Sequence, residues 1–160
     1  QLCYYRGFGE FKATGFVTET GQLLNLMNGV SCLGGRTQIS RVLAHAVKET
    51  RAKPVKAVVF IGDCCEEPVD ELCHTAGELG MLRTPVFMFH EGHDAHARAV
   101  FQQVSKLSGG AYVPFDRNSP QVLKDLMAAV AVYASGGAKA LQDFSSRSSP
   151  EVKRLTRQIR

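Results

Sequence analysis

The sequence predicts an α/β protein: a Rossmann-like, doubly wound and mostly parallel sheet with helices on both faces. Three observations carry that expectation. From Thr37 onward, segments with helical apolar spacing alternate with short apolar runs in the order α, β, α, β, α, β, α. That alternation calls for parallel strands joined by crossover helices. The run at 57–61 (AVVFI) is continuously apolar, as a strand covered on both faces must be. Glycine pairs and Ser-Pro pairs punctuate the chain where elements should end and begin.

The elements follow in order. Residues 2–6 read as a strand, Gly7-Phe8-Gly9 as a turn and 11–17 as a returning strand, giving one antiparallel edge hairpin. Residues 18–28 form a short helical candidate with Leu23, Leu24 and Met27 on one side. Ile39, Val42, Leu43, Ala46 and Val47 then follow helical spacing, so 37–50 is an amphipathic helix. After the strand at 57–61, Pro68 suits the first turn of a helix, with Val69, Leu72, Cys73, Ala76 and Leu79 inward and Gly80 as its cap. A strand at 85–89 precedes a helix at 94–107, with Val100, Phe101, Val104 and Leu107 inward. A short strand at 111–114 leads to Ser119-Pro120, an N-cap followed by a first-turn proline. The helix behind it runs to about Ala134, carries Val122, Leu123, Leu126, Met127 and Val130 on its core side, and ends at Gly136-Gly137. Ser145–Ser149 reads as a linker, and Ser149-Pro150 opens a final polar helix. The strands at 57–61, 85–89 and 111–114 should be adjacent in that order.

Composition narrows the class. With 44% hydrophobic and 21% charged residues among 160, the chain fits a folded domain and not a disordered one. The net charge is +4, from 19 basic and 15 acidic residues. Arg147, Lys153, Arg154, Arg157 and Arg160 crowd the last positions. They read as a solvated helix face, and no nucleic-acid partner is expected. No apolar run approaches the roughly 18 residues of a transmembrane helix, so no membrane span is expected. The cysteines (Cys3, Cys32, Cys64, Cys65, Cys73) are odd in number and include no CxxC pair. Reduced, buried thiols in a cytoplasmic protein account for them most simply. The chain opens inside an apolar stretch, which suggests a preceding piece.

Two residues stand out as site candidates. Asp63 lies just past the apolar strand, in Phe60-Ile61-Gly62-Asp63-Cys64-Cys65-Glu66-Glu67. A carboxylate there points into the crevice at the strand ends, where open α/β sheets bind ligands. Thr37 follows the Gly34-Gly35 turn and opens a helix. Helix capping is the plain alternative role for each.

Taken together, the sequence resembles the von Willebrand factor type A (VWA) family. That family has a metal-ion-dependent adhesion site on three loops: an Asp-x-Ser-x-Ser loop, a threonine after a glycine-rich turn, and an aspartate at the end of the fourth strand. Thr37 matches the second position and Asp63 the third. Further marks resemble a bacterial VWA-like subfamily: Gly62-Asp63 with Glu66-Glu67, Phe87-Met88-Phe89 before Glu91-Gly92, Gly109-Gly110-Ala111-Tyr112, and Tyr133-Ala134-Ser135-Gly136-Gly137. No Asp-x-Ser-x-Ser occurs in this sequence, and the third loop reads Gly62-Asp63-Cys64 where many members have Thr-Asp-Gly. The resemblance therefore implies that 1–141 is a VWA-like domain lacking its first, central strand and that loop, with 142–160 as linker and C-terminal polar helix. The absent strand would lie between 2–6 and 57–61. The implied function is binding without turnover: Mg²⁺ at Thr37 and Asp63 takes a carboxylate offered by a protein partner.

Two other constellations carry chemistry. Glu66, Glu67, His90, His93 and His96 form a possible accessory site. His93 and His96 share a helix face at a spacing of three, which suits zinc or nickel, though a polar loop explains the same residues. Cys64 or Cys65, on a sharp strand-to-helix turn, would be the nucleophile of a cysteine-dependent hydrolase or thiol-transfer enzyme. Two packed thiols at a turn are the plainer account.

Overall fold

A computed structural model of the chain describes residues 1–116 and 118–159. Arg160, the end of the basic cluster, lies outside the described residues. Strands β1 (Cys3–Arg6) and β2 (Glu10–Ala13) are followed by helices α1 (Thr20–Asn28) and α2 (Ile39–Ala52). Then come β3 (Val58–Gly62), α3 (Val69–Met81), β4 (Val86–Glu91), α4 (Ala95–Ser108) and β5 (Tyr112–Phe115). Helices α5 (Pro120–Ser145) and α6 (Pro150–Thr156) complete the chain.

Strands β3, β4 and β5 form one parallel sheet in that order, with Val58 opposite Val86 and Met88 opposite Tyr112. The central strand shows why the sequence folds this way. Successive side chains of a strand point to opposite faces. Val86 and Met88 therefore join α2, α3 and α4 on one side, with Leu43, Leu72 and Phe101. Phe87 and Phe89 join α5 and α6 on the other, with Leu126, Leu141 and Leu155. All four β4 side chains are fully buried. Each such side chain contributes roughly 1.5–3 kcal/mol, so β4 anchors both layers.

The hairpin departs from expectation. β1 and β2 pair with each other, Cys3 opposite Ala13, but form their own two-stranded sheet and not an edge of the parallel one. Local anchors explain this. Gly7 N donates to Leu33 O and Arg36 N donates to Gly7 O. Gly35 lies so close that an added Cβ would sit 1.8 Å from Gly7 O. The hairpin meets the sheet through side chains: the Tyr5 and Phe60 rings stack with centroids 6.5 Å apart. Among the described residues β3 consequently has a ladder partner on one side only. Its expected burial on both faces is incomplete, with Ile61 44% exposed.

Other boundaries moved for identifiable reasons. β2 ends at Ala13, four residues early; at Thr14 the N–H still donates to Leu2 O at 2.9 Å, but Leu2 N donates to the Thr14 side chain, at 3.0 Å, and not to its carbonyl. Helix α1 forms but buries nothing; Leu24 and Met27 face outward. Gly80 lies inside α3, not after it, and an added Cβ there would meet Leu107 O at 2.3 Å. Its role is close approach of α3 to α4, a contact that leaves the Leu107 side chain half-exposed. Gly137, at φ 72°, is non-helical, so the first helical stretch of α5 ends at Gly136-Gly137 as the sequence implies. The helix resumes to Ser145 and buries Leu141. The final helix is less polar than its charges suggest, since Val152 and Leu155 are fully buried. No helix among the described residues is long and apolar enough to cross a membrane.

Candidate functional site

The carboxyl end of the parallel sheet carries the candidate site. Leaving β3 at Gly62, the chain makes a loop through Asp63, Cys64, Cys65, Glu66 and Glu67 before α3. Helix α3 starts at Val69 with Pro68 at its N-cap, so Asp63 is not a cap, and it is exposed. Thr37 is not a cap either. Helix α2 starts at Ile39 with Gln38 as its N-cap residue, and no side chain of its own segment caps it. Glu67 does that from the neighbouring loop. Its carboxylate accepts from Ile39 N, from Ser40 N at 2.9 Å and from Ser40 Oγ at 2.5 Å. A carboxylate is favoured there because the first helical N–H groups lack partners and the helix dipole is positive.

Glu66 ties the two loops together. Its backbone N–H donates to Thr37 Oγ1 at 3.0 Å, and its carboxylate accepts from Thr37 N at 3.2 Å. Thr37 therefore lies against the loop that carries Asp63, three residues upstream of Glu66. The oxygens here (a threonine hydroxyl and two carboxylates) are hard donors of the kind Mg²⁺ selects, with waters completing its six ligands. Beside Thr37, Gln38 is buried, its Oε1 accepts from Arg41 at 2.6 Å, and its Nε2 has no partner.

The possible accessory residues separate. His90 is fully buried, its Nδ1 2.9 Å from Tyr112 Oη and its Nε2 3.2 Å from the Asp63 carbonyl oxygen. It supports the Asp63 loop from below. His93 and His96 are exposed, Asp94 caps α4 by accepting from Ala97 N at 2.5 Å, and Glu67 caps α2. Among the described residues, no three His, Cys, Asp or Glu side chains form a metal-holding group.

Sequence reasoning missed Tyr5, Tyr112 and Arg98. Burial pushes the Tyr5 phenol well above its ordinary value, and Cys64, Glu67, Asp63 and Cys65 push it further. Tyr5 thus fronts the same loop, a placement that only the folded hairpin reveals. Burial also raises the Tyr112 phenol, against the opposing influence of Arg98 and Arg154.

The two cysteines of the loop are poor nucleophiles. Partial loss of water, then the hydrogen bond and charge of Asp63 and the charges of Glu66 and Asp94, push Cys64 up to about 11. Cys64 keeps an exposed surface, and the carboxylates around it add to the effect of partial burial. Burial likewise raises Cys65.

No protein-family model, no curated protein and no solved structure matches the chain. The functional reading therefore stands on the site's own geometry and on the motifs that led to it.

Proposed function

We propose that this chain is a VWA-like, doubly wound binding module of the bacterial type, which holds Mg²⁺ at Thr37 and Asp63 and captures a carboxylate of a protein partner. The observation that carries the reading is the reciprocal pairing of Thr37 with Glu66, which draws the glycine-rich turn and the Asp63 loop to one place. Bound there, Mg²⁺ would supply residual positive charge and one open position. The chain's own residues do the rest. The Glu66 amide fixes the Thr37 hydroxyl in orientation and leaves it a second lone pair. Asp63 brings negative charge on a loop that His90 steadies from within the core. Free thiols throughout the chain favour a reducing compartment, the cytoplasm.

The cysteine-hydrolase reading requires a thiolate and a base. Cys64 and Cys65 sit among carboxylates that disfavour the thiolate, and both ring nitrogens of the neighbouring His90 are engaged.

Calorimetric titration of the chain with Mg²⁺, and with Mn²⁺ as a second probe, tests the proposal. One binding event is expected, abolished by Asp63→Ala and weakened by Thr37→Ala. Absence of binding by the unaltered chain, or binding indifferent to both substitutions, ends it.

A further inference from the structure

Helices α4 and α6 and the outer side of β5 enclose a cleft of about 1240 Å³. Arg98 and Lys106 line one wall, from α4; Lys153 and Arg154 of α6 and Arg157 at its C-cap line the other; Tyr112 and Gly109-Gly110 lie between them. All five cationic side chains are exposed, and among the described residues no carboxylate lines the cleft. The four ion pairs among the described residues involve none of the five. Five like charges facing one concavity raise its positive potential, and low-dielectric walls focus that field. Three of the five are arginines, whose planar forks match carboxylates two bonds at a time.

We propose that this cleft is a second binding site, which takes an acidic peptide segment, rich in Asp and Glu, of a partner protein. Length supports that occupant. Arg98 and Lys106 are eight residues apart on one helix, or about 12 Å at 1.5 Å per residue. Roughly four residues of extended peptide cover that distance. The lining supports it as well: Pro114 and Pro150 give an extended chain apolar surface between the charges. Strand addition is closed off. Gln158 holds the outer edge of β5, its Oε1 accepting from Tyr112 N at 3.0 Å and its Nε2 donating to Tyr112 O at 2.9 Å. The peptide is therefore recognised through its side chains and not its backbone.

Other polyanions suit the cleft less well. Single-stranded nucleic acid needs exposed aromatic rings on which bases stack, and the one ring in the lining, Tyr112, is 6% exposed. A lipid surface would meet only the rim of a concave site. The proposal goes beyond the Mg²⁺ reading and does not depend on it.

The test is fluorescence anisotropy with a fluorescein-labelled hexaglutamate peptide at low ionic strength, with EDTA present throughout. EDTA removes any contribution of the Asp63 site, so failure here leaves the Mg²⁺ proposal untouched, and the reverse. Saturable binding is expected, weakening as salt is raised. The triple variant Lys153→Gln, Arg154→Gln, Arg157→Gln, altered only on the exposed face of α6, is expected to bind about tenfold more weakly or worse. Circular dichroism confirms that it keeps its fold, and Arg98→Gln provides an independent variant on the other wall. No binding by the unaltered chain, or equal binding by these variants, overturns the proposal. So does displacement of the peptide by oligouridylate or phosphatidylserine vesicles at lower concentration than by unlabelled hexaglutamate, which would reassign the cleft to nucleic acid or lipid.

Discussion

Glu67 does for helix α2 what none of the residues flanking that helix does. A carboxylate from the next loop takes two helical N–H groups and a serine hydroxyl. Leaving such groups unpaired costs about 1–3 kcal/mol. Glu67→Ala is therefore expected to lower unfolding stability by that amount in urea titration, while Asp63→Ala, at an exposed loop position, changes it by less than about 0.5 kcal/mol. Equal effects would show that the two carboxylates do not divide the work between scaffold and ligand. Cys64 provides a second check. With its thiol pushed up to about 11, roughly one molecule in ten thousand carries the thiolate at pH 7. Iodoacetamide should label it more slowly than free cysteine at that pH, and labelling should accelerate as pH rises toward 11. Rapid, selective labelling at neutral pH would revive the thiol enzyme. Thr37 and Asp63 were legible in the sequence because each follows a recognisable break, a glycine pair or a strand end. Glu67 was legible only as a charge, since its partners lie 27 and 28 residues away. Tyr112 and Arg98 were silent because β5 and α4 meet only in the folded chain.

Elements with a clear period were readable, and those without a partner were not. Helix α2 and the β3–β4–β5 order follow directly from apolar spacing and from the βαβ rule. Helix α1 has the same spacing on a small scale, yet the fold gives it nothing to cover. Periodicity reports a face, not what meets it. Gly137, at φ 72°, does end one helical stretch, as it reads; its neighbours in sequence do not show that a second stretch follows at once and that Leu141 there finds the core. The hairpin is held by charge as well as by its ladder. Glu10 pairs with Arg6 at 2.7 Å and Lys12 at 3.1 Å. The Arg6 hydrogen bond first, then that of Lys12, draw its carboxyl down from 4.5 to about 2. A carboxylate lowered by folding stabilises the folded hairpin above pH 4.5, and that contribution disappears as pH falls from there through about 2. The pair is solvent-screened, so the effect is local. Near-ultraviolet circular dichroism of Tyr4 and Tyr5 should show an acid transition in that window that Glu10→Gln removes. A transition unchanged in the variant would place its cause elsewhere.

Across the whole molecule the apolar surface is unevenly spread. Phe8, Phe16, Leu24, Met27 and Leu33 are each more than half exposed, and all fall between β1 and α2 in the chain. Among the described residues β3 has β4 as its only ladder partner, and it shows Ile61 to solvent. An open strand edge offers unpaired N–H and C=O groups to other chains, and a contiguous apolar patch invites association. The two features reinforce each other because the hairpin touches β3 through the Tyr5 and Phe60 rings and not through backbone bonds. A strand inserted there would hide several large side chains at roughly 1.5–3 kcal/mol each. That sum is comparable with a domain's entire stability of about 5–15 kcal/mol. The 160-residue chain alone is therefore expected to self-associate, with a mass by light scattering that rises with concentration and a broad thermal transition. Ile61→Lys, which places a charge on the open edge, should reduce the association, as should Leu24→Lys with Met27→Lys on α1. A polypeptide that supplies a strand to β3 should sharpen the transition and raise its midpoint. A monodisperse monomer with a sharp cooperative unfolding transition would show instead that the hairpin closes this side of the sheet well enough without a ladder.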